Sequence, residues 1–193
     1  MKYATEELTA RESLYIIAAM IQEAKGNVHR NNFYFLMWGW VIVAANLGMF
    51  ALQQLGYAHP YAVWLITVPA WLYTIYSGFR RQKTAVITTH FDRISKWLWI
   101  SFGITLFALV LFGYRINFQL NPVILLITAI PTTVAGVILE FKPLRFGGVI
   151  FWIGGLVCFI VPTTMQPLVG AVTISFGYLV PGYMLKGKQS ANV

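Results

Sequence analysis

Long apolar runs, separated by short polar segments, dominate the pattern of this chain. A helix that crosses the roughly 30 Å hydrocarbon layer of a membrane needs about 20 apolar residues. Six runs approach that length, at residues 33–53, 61–79, 97–114, 122–139, 146–162 and 167–185. Apolar and polar residues do not alternate within them as they do in half-buried strands. The pattern therefore predicts an all-α protein with six transmembrane helices in a bundle over residues 33–185.

The composition narrows the class of protein further. Apolar residues make up 58% of the chain and charged residues 10%, whereas soluble domains carry about 25% charge. A water-soluble fold could not bury so much apolar surface. The one cysteine, Cys158, excludes an intrachain disulfide and a cysteine-based metal site. We expect no cofactor and no metal.

The basic residues predict the orientation of the chain in the membrane. With six spans, thirteen of the fourteen lysines and arginines fall on one side and only Arg115 falls on the other. Because basic residues accumulate in cytoplasmic loops, both termini are predicted in the cytoplasm, including the tail 186–193. Since the basic residues lie in short loops rather than on one soluble face, we expect lipid rather than nucleic acid as the surrounding partner.

The segment before the first span, residues 1–32, predicts a short amphipathic cytoplasmic helix. Thr9 and Glu12 form a capping box and Gly26 is a typical helix stop, so the helix covers residues 10–25. An apolar stripe follows at helical spacing: Leu14, Ile17 and Ile21. The polar side is acidic, which disfavours anionic lipid and favours docking on protein. Capping of its own bundle, self-association and binding of a partner protein remain open.

Prolines suggest an internal repeat. The even-numbered spans all begin beside a proline, at Pro60, Pro122 and Pro167. Pro69 and Pro131 each follow nine residues after the entry proline of their span. Three tandem helical hairpins in the same orientation are a hypothesis that this spacing supports.

The fourth span carries a polar strip with candidate transport chemistry. Thr128, Thr132 and Glu140 recur along it, and an acid in a span can bind a proton or a cation. Pro69 and Pro131 each remove a backbone donor, and transporters use such broken helices to coordinate ions. The alternatives are ordinary helix kinks and, for Glu140, an ion pair with Lys142 or Arg145 at the cytoplasmic interface.

Small and amide residues mark positions where spans should pack closely. Asn46 lies in the middle of the first span, where we expect an interhelical hydrogen bond. Glycines seven residues apart, Gly147 with Gly154 and Gly170 with Gly177, predict close packing within the last hairpin.

Residues 12–48, with the run ESLYIIAAMIQEAKGNVHRNNFYFLMWGWVIVAANLG, carry a resemblance. This part of the chain resembles small bacterial multi-pass membrane proteins that join a short cytoplasmic helix to several spans through an Asn-rich turn and a WGW entry. The resemblance implies a bacterial inner-membrane location. It implies no activity, ligand or catalytic residue.

Two function classes remain open at this point. Motifs for a nucleophilic serine, a phosphate-binding loop or a zinc protease are absent, so we do not expect an enzyme. The favoured hypothesis is a membrane module that regulates or scaffolds a partner. The alternative is a small transporter or channel that uses the proline-broken second and fourth spans.

Overall fold

The computed structural model describes residues 33–84 and 90–190, and within these residues the chain forms helices joined by short turns, with no strand. The main helices are α1 (Phe33–Gln54), α2 (Thr67–Thr84), α3 (His90–Leu111), α4 (Leu120–Ile138), α5 (Lys142–Ile160), α6 (Gln166–Ile174) and α7 (Val180–Ser190). The all-α prediction is confirmed. Residues 1–32, with the predicted helix 10–25, and the last residues of the tail lie outside the described part.

Shorter helical pieces complete the chain path. A 3-10 helix, Pro60–Ile66, leads into α2, and a second one, Gly113–Ile116, follows α3. A π-helical turn, Ser175–Leu179, joins α6 to α7 without a break. The α6–π–α7 unit is called the last span below.

Five of the described helices are long and apolar enough to cross a membrane. They are α1, the Arg93–Leu111 part of α3, α4, α5 and the Gln166–Gly187 part of the last span. The second predicted span, 61–79, is not among them. Its first residues are 3-10 helical, and α2 itself ends in the basic run Arg80, Arg81 and Lys83. Helix length and composition therefore do not confirm the count of six.

Pro69 explains the change of helix type in this segment. Before it, the backbone N–H and the hydroxyl of Thr67 both donate to the carbonyl oxygen of Trp64, the latter at 2.7 Å. Pro69 is the third residue of α2, and a proline in the first turn of a helix is tolerated because its fixed φ suits a helix start. The change from 3-10 to α-helix therefore falls beside the proline, which lies at the start of α2 rather than in the middle of a regular helix.

The core lies between α4, α5, the last span and one face of α1. Its buried residues include Leu125, Ala129, Leu144, Phe151, Ala171 and Tyr178. The Tyr178 ring packs edge-to-face against Phe35 of α1 at 5.1 Å and against Phe151 of α5 at 5.8 Å. One aromatic side chain thus joins three elements of the bundle.

The α2 and α3 helices lie at the periphery. No residue of the Arg93–Leu111 segment is fully buried, and Ala70 is the one buried residue among the α2 side chains that the structure describes. The segment 60–84 packs along α1 instead. The hydroxyl of Tyr34 donates to Ser77 Oγ at 2.7 Å, Trp38 Nε1 donates to Thr74 Oγ1 at 3.1 Å, and Trp64 Nε1 donates to Met49 Sδ at 3.1 Å. As the residue numbers in α1 increase, those of their partners in segment 60–84 decrease, so the two segments form an antiparallel hairpin.

Candidate functional site

The threonines of the polar strip bond to their own helix. Thr128 Oγ1 donates to the Ile124 carbonyl at 2.6 Å, and Thr132 Oγ1 donates to the Thr128 carbonyl at 2.8 Å. The neighbouring Thr133 does the same toward Ala129 at 2.8 Å. Each hydroxyl is thereby satisfied by a backbone carbonyl one turn back, which is the common state of threonine in an apolar helix. These hydroxyl protons are engaged within α4.

Helix α5 covers this side of α4 at very short range. A Cβ atom added to Gly148 would collide with Thr133 Oγ1 and would lie 3.1 Å from the Ala129 carbonyl oxygen. One added to Gly155 would lie 2.7 Å from Leu126 Cγ. The two backbones can approach this closely only because α5 carries glycine at those positions. The middle of α4 is therefore packed against protein.

The two prolines of the strip lie in different surroundings. Pro131 is buried inside α4, beside Thr132, which has no exposed surface. Pro69 is exposed in the first turn of α2. In α4 the proline leaves the Ile127 carbonyl without its helical donor, whereas Pro69 lies in the first turn of α2, where proline is tolerated. The structure gives the two residues unlike roles in their helices.

Glu140 lies just beyond α4 rather than within it. Its φ of 49° is left-handed, its N–H donates to the Val137 carbonyl at 3.1 Å, and the Phe141 N–H donates to the Gly136 carbonyl at 2.9 Å. This bond pattern is a Schellman cap, in which the left-handed position usually holds glycine. The Glu140 side chain is exposed, so its backbone ends the helix while its carboxylate points away from the core.

Arg145 completes this helix end. Its Nε donates to the Gly136 carbonyl oxygen at 3.1 Å, so a cation neutralises the negative end of α4. Among the residues that the structure describes, Glu140 forms no ion pair with Arg145 or Lys142. The expected interfacial ion pair is replaced by a backbone cap.

The predicted packing glycines lie between α5 and the last span. A Cβ on Gly147 would collide with the carbonyl oxygen of Gly177, and a Cβ on Gly154 would collide with Thr173 Oγ1. Gly177 in turn has the Phe151 ring against it, 2.9 Å from an added Cβ. Since an added Cβ replaces an α-hydrogen, the Gly147 α-hydrogen points at the Gly177 carbonyl as a weak Cα–H···O contact.

Pro181 explains why the Gly177 carbonyl is available. This proline is not among the residues that the sequence pattern singled out. Proline has no N–H for the carbonyl four residues earlier, and its ring clashes with that carbonyl in a regular α-helix. Here the carbonyl belongs to Gly177, and the chain widens into the π turn Ser175–Leu179, with the Val180 N–H donating to the Ser175 carbonyl. The freed oxygen faces Gly147. A proline inside the last apolar run was the signal that could have revealed this turn.

Asn46 is buried between α1 and the last span, at 1% exposure. Its Nδ2 donates to the Ile42 carbonyl of its own helix at 2.9 Å, and its Oδ1 has no conventional hydrogen-bond donor. That oxygen lies 2.9 Å from where a Cβ of Gly170 would be, so it faces a Gly170 α-hydrogen. The amide does lie at a helix–helix contact, but its conventional hydrogen bond is intrahelical.

A second buried amide joins three loop-proximal segments. Gln166 Nε2 donates to Gln119 Oε1 at 2.7 Å and to the Cys158 carbonyl at 3.1 Å, with the residue 5% exposed. Nothing in the sequence pattern distinguishes Gln166 beyond its place before Pro167. Its amide ties the α3–α4 turn to the ends of α5 and α6. The candidate docking residues Leu14, Ile17 and Ile21 lie outside the described residues.

The fold and these contacts indicate the class of protein to which the chain belongs. Helices of this length and apolarity, packed through glycine and intrahelically bonded threonine, are the construction of a multi-pass membrane protein. Comparison of the chain with protein-family models, with curated proteins and with solved structures found no match. The geometry of the bundle itself is therefore the basis for proposing a function.

Proposed function

We propose that this chain is a non-enzymatic membrane module that regulates or scaffolds a partner protein, with six spans in a bacterial inner membrane and both termini in the cytoplasm. The observation that carries the proposal is the set of contacts that the polar and small residues of the spans make. Threonines, glycines and buried amides pack helix against helix or bond within a helix. Within residues 33–84 and 90–190, the side chains described above are engaged in these contacts rather than left free for a cargo.

The α1–α2 contacts support a sixth crossing. They extend along α1 from Tyr34 to Met49 and, on the partner segment, from Ser77 back to Trp64. Fifteen residues of helix cover about 22 Å, most of a hydrocarbon layer. A segment that accompanies a spanning helix over this distance passes through the same depth of membrane. Its basic end then emerges beside the cytoplasmic end of α1.

Charge distribution supports the same count. If segment 60–84 did not cross, the later loops would exchange sides, and lysines and arginines would divide nine to five. With the crossing they divide thirteen to one. The positive-inside rule strongly favours the second distribution. The hypothesis of three tandem hairpins needs the crossing as well, although the hairpins differ locally, since only the second span begins with a 3-10 helix.

The packing of α4 against α5 disfavours the transport alternative. A transport site near Pro131 would need access for water and ions to the freed carbonyl and to the threonine hydroxyls. Thr132 is fully buried, and α5 backbone approaches the same helix at Gly148 and Gly155. Glu140 lies outside the helix with an exposed side chain, where a carboxylate gains little from coupling to a buried cargo.

Liposome flux separates the two classes. We expect purified protein in liposomes to carry no more proton or potassium flux than empty liposomes, with an added ionophore proving that the vesicles hold a gradient. The Glu140→Gln variant should behave identically. Flux through the unmodified protein that this substitution abolishes would contradict the proposal and establish Glu140 as a coupling acid.

The partner-docking role rests on the stripe Leu14, Ile17 and Ile21. We expect the full-length protein to form a cross-linked self-complex or partner complex that Leu14→Glu with Ile21→Glu abolishes, because burying those charges is unfavourable. Ala19→Glu with Gln22→Glu adds the same charge away from the stripe and should leave the complex intact. Equal loss in both variants would show a general charge effect and would contradict docking through the stripe.

A further inference from the structure

A shallow groove of about 300 Å³ runs along the second half of α3 and its following turn. Its walls come from six residues: Thr105, Ala108, Leu109, Phe112, Arg115 and Ile116. In the proposed orientation the groove opens to lipid in the outer half of the membrane. It takes no part in the helix packing described above.

The walls of the groove are apolar although two lining residues are polar. Thr105 Oγ1 donates to the Ser101 carbonyl of its own helix at 2.9 Å, which leaves its methyl group for the wall. Arg115 can supply the wall with its aliphatic stem while its head stays at the surface, the usual behaviour of arginine at a membrane interface. From Thr105 to the end of α3 at Leu111 the helix rises about 9 Å, and the 3-10 turn that carries Arg115 follows it. The groove thus takes the upper part of an acyl chain, next to the headgroup.

One cation lies at the outer mouth of this groove. The Arg115 guanidinium is 5.2 Å from the centre of the Tyr114 ring, an arrangement that holds the charge near the interface. No other lysine or arginine and no acidic residue occurs between residues 97 and 139. Among the residues that the structure describes, no carboxylate pairs with Arg115, so its positive charge lies directly above an apolar slot.

We propose that this groove is a binding site for one anionic phospholipid, with an acyl chain along Ala108 and Leu109 and the phosphate at Arg115. Guanidinium groups bind phosphate through charge-assisted hydrogen bonds. The absence of a neighbouring carboxylate favours a headgroup with net negative charge over a zwitterionic one. A helix from a second copy of the chain would fill the slot but would leave this charge without a counter-ion, so lipid fits both features.

Native mass spectrometry of the full-length protein in neutral detergent tests the site. The probes are phosphatidylglycerol and phosphatidylcholine with identical acyl chains. We expect the protein to retain phosphatidylglycerol about tenfold better, in line with a hydrogen bond to a charged group. Arg115→Gln should remove this preference, and Ala108→Phe should lower retention of both lipids by filling the slot. Excess inorganic phosphate should not displace phosphatidylglycerol, because it lacks the acyl chain.

Matched variants make the outcome decisive. Lys96→Gln removes the same charge from the opposite end of α3, and Val110→Phe adds the same ring to an exposed position outside the groove, so both should retain lipid like the unmodified protein. Unchanged headgroup preference in Arg115→Gln, or equal loss in Lys96→Gln, would overturn the proposal. So would a dimer that Ala108→Phe dissociates, since a second copy would then occupy the groove. The measurement is independent of orientation and of any partner.

Discussion

At the scale of single residues, glycine decides how closely α5 approaches its neighbours. The four buried glycines of α5 each face a close neighbour: a backbone carbonyl at Gly147, a threonine side chain at Gly148 and Gly154, and Leu126 at Gly155. The seven-residue spacing of Gly147 and Gly154 predicted a packing face. It could not predict the facing atoms, because the sequence does not specify how two helices are rotated against each other.

Gly147→Ala measures this close approach. The new Cβ would collide with the Gly177 carbonyl oxygen, and because backbone cannot rotate away as a side chain can, the helices must separate. We expect a loss of about 1–3 kcal/mol, typical of overpacking, seen as a lower thermal midpoint in detergent. Gly78→Ala is the matched control, since nothing lies within 4 Å of its added Cβ. A similar loss in both variants would contradict the contact.

At the scale of elements, hydropathy located most of the helices but not their local form. The predicted spans 33–53 and 122–139 correspond to α1, Phe33–Gln54, and α4, Leu120–Ile138. The prediction for 61–79 could not reveal a 3-10 start, because apolarity is the same in both helix types. The π turn and the Schellman cap were missed for a related reason. Both depend on which carbonyl loses its regular helical donor: Gly177 faces Pro181, which has no N–H, and Gly136 accepts from the Phe141 N–H instead of that of Glu140.

A disulfide tests the α1–α2 hairpin. A Cβ on Gly48 would lie 3.8 Å from Val63 Cβ, the mean separation in disulfides. In a Cys158→Ala background, Gly48→Cys with Val63→Cys should cross-link under mild oxidation and migrate faster on a denaturing gel. Gly48→Cys with Leu65→Cys, which places the second thiol at a 70% exposed position, should remain reduced. Cross-linking of the second pair alone would show a different register.

At the scale of the whole molecule, the protein divides into a tightly packed part and a loosely attached part. The α4, α5 and last-span helices, with α1, hold most of the buried residues, whereas no residue of the spanning segment of α3 is fully buried. In water such a helix would be untenable, and in a bilayer it costs nothing because lipid is as apolar as its side chains. The peripheral helices are therefore where contacts with lipid or a partner are available. The proposed placement of the loops and termini depends on how often the chain crosses the membrane.

Cysteine labelling in intact cells of an expression host tests that crossing directly. In a Cys158→Ala background, a cysteine at His59 should react with an impermeant thiol reagent, and one at Arg93 should react only after the cells are permeabilised. Both positions are exposed. Gln166 is only 5% exposed and is therefore unsuitable as a reporter. Six spans place the two sites on opposite sides of the membrane. Equal labelling of both in intact cells would show that segment 60–84 does not cross, and would contradict the six-span account.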